Sequence, residues 1–225
     1  MQSIRQRQLI PRFLIYFFGL LIMTLGFVLV LKANLGATPW DVLHVGLYYQ
    51  FGLTIGSWSI IVGLLILGVS ALLTKKIPQI GAFLNMLSVG IFMDMYLFLP
   101  FIQSPSSLIG KIIMFLIGLV ITCYGMGFYI SAKLGAGPRD SLMLALTSRT
   151  GWKVGYIRGT MEIIVLLIGW LLGGPVSFGT FLLSLLIGPL FGFAMPQCNF
   201  VTNFLLGKRK AQDTLNKNIN RGVSS

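Results

Sequence analysis

The sequence predicts an all-α, polytopic membrane protein with a twofold internal repeat of inverted topology: six spanning helices and two short re-entrant half-helices. Three observations carry that prediction. Of 225 residues, 56% are hydrophobic and only 10% charged, too few polar groups to cover a soluble domain, so lipid must be the solvent. Six apolar runs (13–31, 57–74, 79–102, 112–132, 159–173 and 175–196) mostly reach the roughly 20 residues a helix needs to cross about 30 Å of hydrocarbon. Finally, sliding the chain against itself by 99 positions lays Arg12–Leu73 on Lys111–Leu172 without a gap.

The repeat organises the chain as a basic N-terminus (1–11), a first unit (12–102), an external loop (103–110), a second unit (111–199) and a basic tail (200–225). Gly19 falls on Gly118 and Gly26 on Gly125. Ala33, Leu35, Gly36, Ala37, Pro39, Asp41 and Leu43 fall on Ala132, Leu134, Gly135, Ala136, Pro138, Asp140 and Leu142. Gly52 and Gly56 fall on Gly151 and Gly155, and after one deletion Gly81 and Gly90 fall on Gly179 and Gly188. Each unit reads as a long helix, a Leu-Gly-Ala-x-Pro-x-Asp turn, a short segment and two more long helices. The first apolar run, preceded by Arg5, Arg7 and Arg12, mimics a signal peptide with a Leu35-Gly36-Ala37 cleavage site. Recurrence as Leu134-Gly135-Ala136 argues against that.

The short segment, 39–51, would measure about 20 Å as a helix, too little for a full crossing. It either re-enters, giving three crossings per unit, or spans in distorted form, giving four. With three crossings and the N-terminus inside, only Lys32 and Lys111 of the 17 Lys and Arg lie outside. With four, Lys75, Lys76, Lys133 and Arg139 join Lys32 outside while Lys111 moves in. The enrichment of basic residues in cytoplasmic segments favours three. An odd count turns the second unit upside down relative to the first, as in many secondary transporters. Both termini are then cytoplasmic, in a cell (inner) membrane. The net charge of +12 sits beside apolar runs, which points to anionic headgroups at the inner face and not to nucleic acid.

The two turns hold the candidate site. In Thr38-Pro39-Trp40-Asp41, Thr suits the N-cap, Pro the first helical position and Asp the third, where it accepts from free amides; Gly137-Pro138-Arg139-Asp140 repeats that order. Such aspartates can simply cap half-helices. If the half-helices dip from opposite faces, their starts also meet near the midplane, where broken backbone must line a cavity. Gly36, Thr38, Pro39, Asp41, His44, Gly135, Pro138, Arg139 and Asp140 are therefore the candidate substrate-binding residues. Glu162 aligns with Gly63, so one unit carries an intramembrane carboxylate that the other lacks. Arg158, four residues earlier, can pair with it, and the two are candidates for coupling. Asp94, matching Gly192, reads as interfacial, and Trp40, Trp58, Trp152 and Trp170 as interfacial anchors. The glycine pairs Gly52/Gly56, Gly151/Gly155 and Gly188/Gly192 read as close helix contacts. Cys123 and Cys198 have no metal spacing and read as packing residues.

No metal cluster, P-loop or nucleophile motif occurs, so neither an enzyme nor a cofactor is expected. At Leu35-Gly36-Ala37-Thr38-Pro39-Trp40-Asp41-Val42-Leu43, at Gly52-Leu53-Thr54-Ile55-Gly56 and at Ala132 to Asp140, the chain resembles the YczE/YyaS/YitT family of bacterial membrane proteins, in particular its YczE-type members. The resemblance covers roughly 12–200 and implies location and fold, not a substrate. It departs from the longer YitT-type pattern in ending on a short basic tail. Two functions are compatible with the residues: a secondary transporter or channel for a small solute, or an accessory protein that docks another membrane protein.

Overall fold

A computed structural model describes residues 9–135 and 137–206. The basic residues expected at the cytoplasmic ends (Arg5, Arg7, Lys208, Arg209, Lys210, Lys217 and Arg221) and Ala136 of the second turn lie outside the described residues. Those described form eight helices: α1 (Leu9–Lys32), α2 (Pro39–Phe51), α3 (Ile55–Thr74), α4 (Ile80–Leu97), α5 (Leu108–Ser131), α6 (Pro138–Thr150), α7 (Val154–Leu171) and α8 (Phe178–Leu205). All except α2 and α6 are long and apolar enough to cross a membrane. These two have 13 residues each, about 20 Å, and correspond to the expected half-helices. The last long helix runs to Leu205, past position 199.

Lipid tails are as apolar as leucine, so membrane helices associate through close packing and buried hydrogen bonds rather than apolar transfer. Glycine makes the closest approach here. On α1, a Cβ added to Gly19 would lie 2.4 Å from the Tyr129 amide nitrogen, and one added to Gly26 would lie 2.7 Å from the Gly118 carbonyl oxygen. On α5, one added to Gly125 would lie 2.2 Å from the Met23 nitrogen, and one on Gly118 would lie 2.9 Å from the Val30 nitrogen. Rising numbers on α1 meet falling numbers on α5, so the two helices run antiparallel. Four crossings per unit would leave them parallel. Tyr16, Leu20, Phe27 and Tyr129 pack beside this crossing with Val89 and Met93 of α4.

The contacts that follow are reciprocal in the 99-residue register. Gln50 Nε2 donates to the Leu172 carbonyl at 3.1 Å, and Arg149 Nε to the Leu73 carbonyl at 2.8 Å. Each half-helix thus ties its C-terminal end to the long helix of the other unit, and packs along it: α2 on α7, α6 on α3. At these seams a Cβ on Gly169 would lie 2.7 Å from the Leu43 Cα, and Ser70 Oγ donates to the Ser141 carbonyl at 3.2 Å. Backbone angles match as well. Asn34 and Lys133 have φ of 54° and 57°, and Gly36 and Gly135 have 145° and 142°, the latter pair in a region that only glycine adopts without strain.

One seam is not reciprocal. Helix α3 packs closely on α4, where a Cβ on Gly56 would lie 2.1 Å from the Gly90 carbonyl oxygen. Their counterparts on α7 and α8, Gly155 and Gly188, would meet nothing within 4 Å, nor would Gly192. Asp94, expected to be interfacial, instead holds the closed seam: Oδ1 accepts from the Gly56 amide at 2.8 Å and Oδ2 from the Thr54 hydroxyl. The first turn of α3 has free amides that a carboxylate satisfies well. The glycine pairs are likewise corrected. Among them only Gly56 makes a close helix contact, while Gly52 and Gly151 end their half-helices with φ of 71° and 72°.

Candidate functional site

The starts of the two half-helices meet. Pro39 and Pro138 occupy the first turn of α2 and α6, and the next residues touch: the Arg139 guanidinium carbon lies 4.7 Å from the centre of the Trp40 ring. Trp40 was expected at a membrane interface. It is instead 7% exposed, because the broken backbone before it turns the start of α2 inward. Around this contact lies a cavity of about 140 Å³, lined from both units.

The two turns differ in how they spend their polar groups. Thr38 caps α2, accepting from the Asp41 amide at 3.2 Å while its hydroxyl donates to Asp41 Oδ2. This locks the Asp41 carboxylate behind the wall; it is 1% exposed and does not line the cavity. In the second turn Gly137 takes the place of Thr38 and α6 has no side-chain cap. Among the described residues the Asp140 carboxylate accepts from the Tyr129 hydroxyl at 3.3 Å, and it faces both the cavity and a second, more open recess beside Gln79 and Lys133.

Of the sequence-predicted site residues, Thr38, Pro39, His44, Pro138, Arg139, Asp140, Arg158 and Glu162 line the cavity. Gly36 and Gly135 do not. A Cβ on Gly36 would lie 2.4 Å from the Thr180 nitrogen, and the neighbouring Leu35 carbonyl accepts from the Gly179 amide at 2.9 Å and from the Ser177 hydroxyl. The first turn thus seals the start of α8, while Gly135 packs beside Gly81 at the start of α4 and opens on the second recess. Arg158 and Glu162 pair, Nε to Oε1 at 3.2 Å, with side chains 50% and 34% exposed. His44 is 2% exposed; its Nδ1 lies 3.9 Å from Asp41 Oδ1 and has no hydrogen-bond partner among the described residues.

Sequence reasoning missed Trp40, Asn85, Tyr129 and an apolar lining of Met23, Phe27, Met86, Met126, Met143 and Met161. Trp40 carried a signal, since the repeat sets it on Arg139. The methionines gave none, because methionine in a span is ordinary core filling.

Residues 10–196 match the model of a family of unknown function (DUF6198). The chain is 44% identical to the uncharacterized membrane protein YczE of Bacillus subtilis over 207 residues, 92% of this chain and 95% of the relative. It is 32% identical to the uncharacterized protein YyaS of the same bacterium over 82% of this chain and 92% of the relative. An uncharacterized protein of Haemophilus influenzae is 33% identical over 80% of this chain and 81% of its own. No solved structure matches significantly.

Proposed function

The chain belongs to the DUF6198 family of unknown function, and from its own geometry we propose that it is a secondary transporter for a small solute, held where the two half-helices meet. The reciprocal contacts and the antiparallel α1 and α5 support two inverted halves, an architecture that moves a solute by exchanging the conformations of its repeats around a fixed site. The observation that carries the reading is the unequal seam. Gly56 sits against Gly90 while Gly155 and Gly188 stand open, so equivalent surfaces adopt two states in one molecule. Exchange would open α3 from α4 and close α7 on α8. With the termini cytoplasmic in a cell membrane and basic residues on anionic headgroups, the open seam faces inward, and the Arg158–Glu162 pair stands at its mouth as the coupling group. The reading involves no catalytic step and no cofactor.

Purified protein in phosphatidylethanolamine/phosphatidylglycerol vesicles, screened against a broad panel of labelled solutes, tests this. Saturable flux that Arg139→Gln abolishes and Glu162→Gln uncouples is the expected result. Vesicles that move nothing, with protein that co-isolates with one stoichiometric membrane partner, would replace it with the accessory role.

A further inference from the structure

We infer that the cavity binds a zwitterion, a small amino acid with an apolar side chain. This rests on the transporter reading for its purpose but not for its chemistry. Arg139 and Asp140 are consecutive, opposite in charge and face one cavity, yet neither has an ion-pair partner within 4.0 Å among the described residues. The Arg139 guanidinium lies over the Trp40 ring, and among the described residues no carboxylate oxygen comes within 4.0 Å of its N–H donors. Asp140 accepts from Tyr129 and from no other side chain among the described residues. A solute with one charge would engage only one of these two groups and disturb its balance with the other. A molecule carrying carboxylate and ammonium on one carbon compensates both.

The surroundings fix its orientation. Gly137 provides no side-chain cap, so the Arg139 and Asp140 amides that follow Pro138 have no capping side chain, and with the Arg139 fork they suit a carboxylate. The ammonium then falls to Asp140. A second polar group awaits a ligand independently: His44, 2% exposed, lines the cavity with Nδ1 unpartnered. Arg158 and Glu162, already paired, leave no net charge at the mouth. The rest of the wall is mostly apolar, with thioethers and a ring from Met23, Phe27, Met126, Met143 and Met161, and adds the neutral polar groups of Ser59, Asn85 and Ser184. Methionine is polarisable and adaptable, so this wall accepts apolar side chains of differing shape. A water needs roughly 10–15 Å³, so 140 Å³ admits a solute of several heavy atoms.

Binding of labelled L-leucine to the full chain in vesicles, competed by L-methionine, 4-methylpentanoate (the acid without the amine) and 3-methylbutylamine (the amine without the acid), provides the test. The expected result is saturable leucine binding, displaced by methionine, with the acid and the amine each at least about tenfold weaker, the factor that corresponds to about 1.4 kcal/mol. Arg139→Gln and Asp140→Asn each lower affinity at least about tenfold, while Arg139→Lys retains part of it. If the acid competes as well as leucine, or if folded protein binds no amino acid, the inference is overturned. Flux of another solute in the same vesicles would leave the transporter reading standing alone; leucine binding without flux would leave only the site.

Discussion

Trp40 and Arg139 occupy the same position in the two repeats, and the guanidinium of one lies over the indole of the other at 4.7 Å. Both residues line the cavity, so replacing the ring acts there directly. A cation held over an aromatic face away from water gains about 2 kcal/mol, so Trp40→Ala should weaken solute binding by roughly tenfold or more and Trp40→Phe by less, read from equilibrium binding in vesicles.

The open seam makes a prediction that separates folding from movement. Nothing lies within 4 Å of a Cβ on Gly188, so Gly188→Val should leave the thermal stability of this state within about 0.5 kcal/mol yet abolish flux, by blocking closure of α7 on α8. Gly56→Val should do the reverse to stability, forcing α3 from α4. Unimpaired flux through Gly188→Val would exclude exchange at this seam.

Asp94 holds the closed seam through the Gly56 amide and Thr54. Hydrogen bonds to a charged group contribute about 1.5–3 kcal/mol, so Asp94→Asn should shift the population toward an opened α3–α4 seam. The readout is faster alkylation of a cysteine placed at Ile60, whose side chain packs against Gly90.

Epitopes inserted after Gly52 and after Gly151, each ending an exposed half-helix turn, should label from opposite sides of the membrane in intact cells. Labelling from the same side would mean that the short helices cross, contrary to the antiparallel α1 and α5.

At the α1–α5 crossing, Gly125→Leu meets the Met23 backbone at once. Overpacking of this kind costs about 1–3 kcal/mol even where side chains can yield, and here the obstacle is backbone. Loss of monodisperse protein on size exclusion is expected, whereas Gly68→Leu, with open space around it, should be neutral.

The long helices were legible because 20 apolar residues in lipid have few other solutions. Thr38 and Asp41 were legible as a cap from local grammar alone. The unequal seam was not, since Gly56 and Gly155, like Gly90 and Gly188, stand in matching patterns that two conformations satisfy equally. At this seam Asp94 lacks a counterpart at Gly192, but its role depends on Thr54 and Gly56 across another helix. Gly36 misled for a related reason: a glycine that admits a ligand and one that admits the end of a distant helix look alike along the chain.

The crossed seating of the half-helices bears on how the protein is made. Helix α2 emerges from the ribosome long before α7, the partner on which it rests, and α3 likewise precedes α6. During synthesis the first half must therefore wait in the bilayer with a polar backbone break unshielded, tolerated by insertion machinery or by a neighbouring copy until translation ends. A polypeptide severed in the loop between α4 and α5 would mature only by recombining both fragments, neither of which can shelter its own turn.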